Sequence, residues 1–288
     1  MRGKEFLVIN LFRLSLILVI AVTVFILFDI ISKGIGIMSF TFLLDIPRNS
    51  MTEGGIFPAI VGTIYVVFLM ILFSLPLGVF AGIYLVEYAR DSKITTLIRI
   101  GVNNLAGVPS IVFGLFGLGF FVLFIGPIFG FEACLLSASL TLALLVLPTI
   151  IVTTEEALKS VPMEYKEASF ALGASKWQTI QKISLPYSLP GILTGAILAI
   201  GRGAGETAPI LFTGAAYFLP RIPHSPFDKF MELSYHIFIM ATQSINPKET
   251  LPIQYGTTLT LLGVILLMDF GAILLRRYFR KKRGVKWR

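Results

Sequence analysis

Charged side chains fall along this sequence in clusters, separated by long stretches that carry none. No Asp, Glu, Lys or Arg lies between Glu53 and Glu87, between Arg99 and Glu132, or between Glu132 and Glu155. From Ile183 to Pro220 only Arg202 and Glu206 are charged, and Glu249 and Asp269 bound another gap. Leu14 to Ile31 is broken only by Asp29. A helix needs about 20 apolar residues to cross a bilayer. The pattern predicts six such helices, near 12–32, 58–86, 99–126, 133–153, 188–214 and 255–276. Hydrocarbon supplies no solvent for backbone N–H and C=O groups, which favours helices. Pro76, Pro109, Pro148 and Pro209 are expected to bend or end them. The fold class is therefore all-α, a single polytopic membrane domain over residues 1–288. The first run exceeds the roughly 7–15 apolar residues of a signal peptide, so it reads as an uncleaved helix.

Basic residues then orient the helices. One side collects Arg2, Lys4 and Arg13; Arg90, Lys93 and Arg99; Lys159, Lys166, Lys176 and Lys182; and Arg276, Arg277, Arg280, Lys281, Lys282, Arg283, Lys286 and Arg288. The other side has Lys33, Arg48, Arg221, Lys229 and Lys248. An excess of Lys and Arg marks the cytoplasmic side, so both termini are expected inside. The loop 155–189 and the basic tail 276–288 then face the cytoplasm, and the loop 215–254 faces out. The tail sets topology and meets anionic lipid.

Composition narrows the function. Of 288 residues, 56% are hydrophobic and 14% charged, against about 25% charged in a soluble domain. Mean hydropathy is +0.86. The net charge of +8 brackets apolar runs, which points to a membrane surface rather than nucleic acid. One cysteine, Cys134, excludes an intrachain disulfide and reads as a small buried residue; with His224 and His236 it makes a poor zinc set. No G-x-x-x-x-G-K-[ST] phosphate loop and no recognisable Ser/His/Asp set occurs, so the chain reads as a non-enzyme without a cofactor.

The loop 155–189 carries the sharpest pattern. Pro162 suits the first turn of a helix, with Glu164 and Glu167 near its positive end. Ala168, Ser169 and Ala171 keep its surface small. Gly173 is placed to end that helix in the left-handed conformation, and Ser175 with Gln178 spells a capping box for a second one. Glu167, Ala168, Ser169, Gly173, Ile183, Leu185 and Pro186 together resemble the E-A-A-x3-G-x9-I-x-L-P loop of ABC-importer permeases, with Ser169 in place of the second Ala. That resemblance implies that the loop docks in a groove on a separate ATPase subunit.

A second feature is Gly201-Arg-Gly-Ala-Gly-Glu-Thr-Ala-Pro209. If the fifth helix spans 191–212, Arg202 lies near mid-membrane, where a lone charge costs on the order of 2.5–3.5 kcal/mol. Glu206, four residues on, shares its face and can pair with it. Gly201, Gly203 and Gly205 let a helix or substrate approach. The arginine fork suits phosphate oxygens, which makes an anion contact the functional reading; a salt bridge that locks helix packing is the structural one. Thr207 adjoins the pair. Asn103, Asn104 and Ser110 are candidates for lining the path or for bridging helices. Asp29 and Asp269 are expected at solvated helix ends. In the outer loop, Ser225-Pro226 is expected to open a helix-like stretch, 227–243, that lies at or dips into the membrane interface. Phe218, Pro220, Arg221, Pro223 and His224 could meet an external protein or simply close that loop.

The segment 202–209, with Leu105-Ala-Gly-Val-Pro-Ser-Ile-Val-Phe-Gly-Leu-Phe-Gly117, resembles phosphate-importer permeases of the PstA type, a likeness running from about Ile60 to Leu275. It implies a type I importer fold, a paralogous PstC-type permease partner forming a heterodimer, two PstB-type ATPase subunits and an external PstS-type phosphate-binding protein. The alternatives are a permease for sulfate or molybdate, or an ATPase-independent anion channel or carrier.

Overall fold

The computed structural model describes residues 2–244 and 247–282; Arg283, Lys286 and Arg288 of the tail lie outside them. The chain runs α1 (Arg2–Gly34), α2 (Phe40–Leu44), a two-stranded antiparallel ribbon β1 (Pro47–Arg48) and β2 (Glu53–Gly54), then α3 (Phe57–Ile83), α4 (Lys93–Ala106), α5 (Ser110–Gly117) and α6 (Gly126–Phe129). It continues through α7 (Leu135–Lys159), α8 (Met163–Ala171), α9 (Lys176–Thr179), α10 (Leu185–Gly205), α11 (Leu233–Gln243) and α12 (Pro247–Lys282). π-helical turns at Tyr84–Tyr88, Leu118–Ile125 and Ile180–Ser184 extend α3, join α5 to α6 and join α9 to α10. Among the described residues, six helical stretches are long and apolar enough to cross a membrane: Glu5–Ile37, Phe57–Tyr88, Ser110–Phe129, Leu135–Lys159, Lys176–Gly205 and Pro247–Phe279.

Six spans were expected and six are found, but two have moved. The third does not run 99–126. Ser92 caps a separate helix, α4, by accepting from the Thr95 N–H, and Arg99 holds it to the bundle through the Leu85 carbonyl (2.9 Å). Pro109 lacks an N–H and disfavours helical geometry at Val108, so the chain breaks there and the span begins at Ser110. The fifth span starts earlier than 188 and stops at Gly205, not 214. Glu206 is extended (φ −82°, ψ 124°), and Pro209 cannot continue a helix. Residues 207–213 instead form buried turns anchored on the start of α7, where the Cys134 N–H and the Ser137 hydroxyl both donate to the Thr213 carbonyl (3.0 and 2.5 Å). Cys134 is fully buried.

The core lies where α3, α7 and α10 meet, and includes Val66, Met70, Leu142, Val146, Ile150 and Ala199. Small residues permit the approach: a Cβ on Gly203 of α10 would meet Met70 of α3. Lipid tails are as apolar as leucine, so such close van der Waals packing, rather than hydrophobic burial, drives helix association. Pro76 and Pro148 sit inside α3 and α7. By contrast α1 buries none of its apolar residues and touches the rest mainly near its end, where Asp29 pairs with Lys33 (2.6 Å) and accepts from the Tyr255 hydroxyl (3.0 Å).

A second cluster packs α2, the start of α3 and α11 around Ile56, Met231, Leu233 and Ile239. The expected interfacial helix 227–243 is thus shorter and deeper. Ser225 to Asp228 is a turn in which the Asp228 carboxylate accepts from the His224 and Ser225 N–H groups (2.9 and 3.0 Å), Phe230 and Met231 are fully buried, and α11 starts at Leu233. At 11 residues α11 is too short to span.

Candidate functional site

Two places gather the residues singled out in the sequence. The first is the end of the molecule around α8 and α9. Pro162 is the residue before α8 rather than its first turn, and Glu164 lies in that turn. Gly173 has φ +78°, the left-handed geometry that ends the helix. The capping box forms as read: the Ser175 N–H donates to Gln178 Oε1 (2.8 Å) and the Gln178 N–H donates to Ser175 Oγ (3.3 Å). The second helix is not a separate short element. It runs through the π turn straight into α10, so the knob is an extension of the fifth span.

Two side-chain ties fasten α8. Lys166 Nζ donates to Glu87 Oε1 (2.7 Å), both side chains about nine-tenths buried, which fixes α8 to the end of α3. The Ser169 and Thr179 hydroxyls share a hydrogen bond (2.9 Å) across to α9. Leu185 packs with Ile83, Leu158 and Ile180 beneath. Ala168, Ser169, Ile183 and Pro186, with Tyr165 and Tyr187, line an open groove of about 750 Å³. Glu167 and Gly173 are exposed, and Leu172 beside them is 90% exposed. The knob thus presents an open, largely apolar face at this end of the molecule.

The second place is the end of α10. Arg202 Nε lies 3.4 Å from Glu206 Oε1, with side chains 35% and 19% exposed. The pair forms as the spacing predicted, but from the last helical turn to the residue after it. Arg202 is therefore not mid-helix; its cation sits at the negative end of the helix dipole, where it is favoured. The three glycines differ in role. Gly203 meets α3, Gly201 faces α12, where a Cβ in its place would lie 3.6 Å from Asp269 Oδ2, and Gly205 is open. Asp269 is thus not at a solvated helix end, and its Oδ1 is buried with no hydrogen-bond partner among the described residues.

Thr207 donates to the Ser234 hydroxyl (2.9 Å), and Ser234 lies 2.6 Å from Glu232 Oε2 and 3.2 Å from the Glu206 carbonyl. Glu232, 2% exposed, caps α11 by accepting from the Tyr235 N–H (2.8 Å) and meets the Thr63 hydroxyl of α3 (3.3 Å). Burial pushes its carboxyl above the ordinary range, against hydrogen bonds from Ser234, Tyr235 and Thr63 that pull it down. The Arg202 pair is thereby tied to α11 and α3. Sequence reasoning missed Glu232. Its only signal was a lone acid between apolar residues, Phe230-Met231 and Leu233, in a loop assigned to the surface.

Ser110 opens α5, half-buried, one turn before Gly114, whose Cβ would meet the Ala208 carbonyl; α5 therefore flanks the 206–209 turn. Asn104 is exposed near the end of α4, outside the spans. Asn103 instead borders a small crevice with Arg99, Glu155 and Lys159, where Glu155 pairs with both cations (3.4 and 2.9 Å).

Six helices long and apolar enough to cross a membrane, with a charge pair where the fifth ends, make this a polytopic membrane protein. Residues 74–283 match the family model described as binding-protein-dependent transport system inner membrane component, and the chain belongs to that family. It is 34% identical to a probable ABC transporter permease, YqgI, of Bacillus subtilis over 89% of this chain and 90% of the relative. It is 40% identical to the phosphate transport system permease PstA of Yersinia pestis (70% and 69% covered), and 37% identical to PstA 1 of Mycobacterium tuberculosis strain CDC 1551 / Oshkosh (80% and 73%). Among solved structures it resembles a bacterial importer of alginate (TM-score 0.60, 13% identity, 95% and 97% covered) and the MetNI methionine transporter (0.56, 19%, 78% and 94%). These share its fold, and the family match with the PstA relatives makes the chain a multi-pass inner-membrane permease component of the ABC importer kind.

Proposed function

We propose that this chain is one of two related permeases in an ATP-driven importer that carries inorganic phosphate inward. Its partners are a PstC-type permease, two PstB-type ATPases and a PstS-type external binding protein. What carries the phosphate reading is the Arg202-to-Pro209 segment together with its similarity to PstA relatives. Arg202 offers a planar fork to phosphate oxygens, Glu206 neutralises it when the path is empty, and Thr207, Ser110 and Asn104 line the approach. The ATPase seats on the groove beside Ala168. Because α9 is continuous with α10, a push on the knob moves the helix that ends at Arg202, which is how ATP binding elsewhere reopens the path to the other side.

Uptake in vesicles with all subunits, paired with the amount of assembled complex, tests this. Arg202→Gln is expected to assemble but not transport. Glu206→Gln is expected to impair transport, the double Gln variant not to regain it, and Arg202→Lys to restore it partly because the fork is lost. The partial exposure of both side chains supports assembly of the single variants, since the loss of about 3–5 kcal/mol on breaking a pair applies to full burial. Full uptake by the double variant removes the pair from the mechanism. Competition by arsenate but not sulfate is expected; the reverse marks another oxyanion, and uptake without a co-purifying ATPase marks a channel or carrier.

A further inference from the structure

Between α7, α10 and α12, at the end of the bundle that bears α8, lies a crevice of about 290 Å³ bordered by Ser160, Tyr187, Ser188, Thr194 and Arg276. Arg276 Nη1 donates to Thr194 Oγ1 (2.9 Å), and Thr194 in turn donates to the Pro190 carbonyl (2.9 Å), so the threonine acts as acceptor and holds the guanidinium in the opening. Among the described residues no carboxylate lies within 4 Å of Arg276 to pair it. A guanidinium has five N–H donors, and this bond uses one. A half-buried cation left with donors to spare is a seat for an anion, and the fork matches the two free oxygens of a phosphate group.

The surroundings select the source of that phosphate. Leu266, Phe270 and Arg277 follow the i, i+4, i+11 spacing, which puts them on one exposed stripe of α12, about a quarter turn around the helix from the inward-facing Arg276. Leu266 and Phe270 are 67% and 58% exposed. Arg277 and Lys281 are exposed at the tail end of the same helix. A recessed arginine at the edge of an exposed apolar face, at the basic end of the same helix, suits a phospholipid with its acyl chains along that face and its phosphate reaching around to the crevice. We propose that this crevice binds the headgroup phosphate of an anionic phospholipid in the leaflet on the knob side, seated on Arg276. The proposal rests on the membrane fold and not on the nature of the cargo.

The test uses the assembled complex in nanodiscs, with Ser160→Cys as a reporter at the exposed lip of the crevice and Cys134→Ala removing the native thiol. Maleimide labelling of Cys at 160 is expected to be about tenfold slower in discs containing phosphatidylglycerol than in phosphatidylcholine alone, the factor a single charge-assisted contact supplies. Arg276→Gln is expected to abolish that protection, Arg277→Gln to leave most of it, and Thr194→Val, which unmoors the guanidinium, to weaken it several-fold. If Arg276→Gln fails to assemble, Thr194→Val and Arg276→Lys carry the comparison, both expected to give partial protection. Protection by inorganic phosphate in phosphatidylcholine discs overturns the lipid assignment in favour of a soluble anion. Equal labelling in both discs overturns the site; slow labelling in both shows the crevice covered by another subunit, which also overturns it. Phosphate uptake enters none of these readouts, so loss of the cargo assignment leaves this result standing, and the converse.

Discussion

His236 shows how far a single residue can depart from its sequence setting. It lies on α11, 2% exposed, and neither ring nitrogen has a hydrogen-bond partner among the described residues. Burial pushes its imidazole down to about 4, so it is held neutral. The unfolded chain titrates near 6.5. Between those values the unfolded state binds more protons, so the stability that neutral His236 preserves is complete above about pH 6.5 and is lost as pH falls towards 4. His236→Phe is expected to flatten that acid limb and to leave the melting temperature at neutral pH equal or higher, as read by thermal unfolding of the complex from pH 4 to 8. An unchanged acid limb would falsify the burial assignment. Glu232, four residues earlier, differs in kind because Ser234, Tyr235 and Thr63 serve its oxygens. Glu232→Ala is expected to cost more than His236→Phe, since it strips the cap of α11 and removes an acceptor from Ser234 and Thr63, about 1–3 kcal/mol in all. Neither residue announced itself. An unpartnered histidine and a buried capping acid look alike in a string of letters, and folded contacts such as that of Glu232 with Thr63, 169 positions away, separate them.

At the scale of elements the knob was the most legible part. Small residues, a positive-φ glycine and a capping box are local, and local rules decided them. A Cβ at Gly173 meets nothing within 4 Å, so Gly173→Ala is expected to cost only the left-handed strain, about 1 kcal/mol, with little loss of ATPase binding. Gly173→Asp and Ala168→Trp alter the face that docks, and both are expected to abolish uptake by loss of ATPase assembly while insertion persists; quantitative pull-down of the ATPase measures this, and normal assembly of both would sink the docking assignment. The third and fifth spans were less legible. Their apolar runs extend past the helices, because residues 207–213 are buried as turns and α4 carries Leu and Ile on one face only. Hydropathy reports burial, not backbone conformation, and cannot separate a helix from an apolar turn packed on α7.

At the scale of the whole molecule, the basic bias predicts which end faces the cytoplasm. Ser175 and Lys229 are both exposed. Single cysteines there, in a Cys134→Ala background, are expected to react with an impermeant reagent only after permeabilisation for position 175 and in intact cells for position 229. Reaction at 175 from outside would reverse the topology. The same view explains α1, which the rest of the chain hardly touches: its expected surroundings are lipid and another subunit, so its apolar residues stay exposed in the single chain.

Sequence by itself determined the number of spans, the membrane class, the knob with its glycine and cap, and the pairing of Arg202 with Glu206. Each follows from composition or from residues within a few positions of one another, where helix geometry and propensity act alone. Tertiary structure decided the rest. It placed Arg202 in the last turn of its helix rather than mid-helix, buried the 207–213 turns and α11, put Asp269 opposite Gly201, and set Arg276 in a crevice between three helices. Those outcomes depend on which helix surfaces meet, and in a bilayer that is settled by close packing of small residues and by polar groups seeking partners, neither of which leaves a periodic trace in the chain.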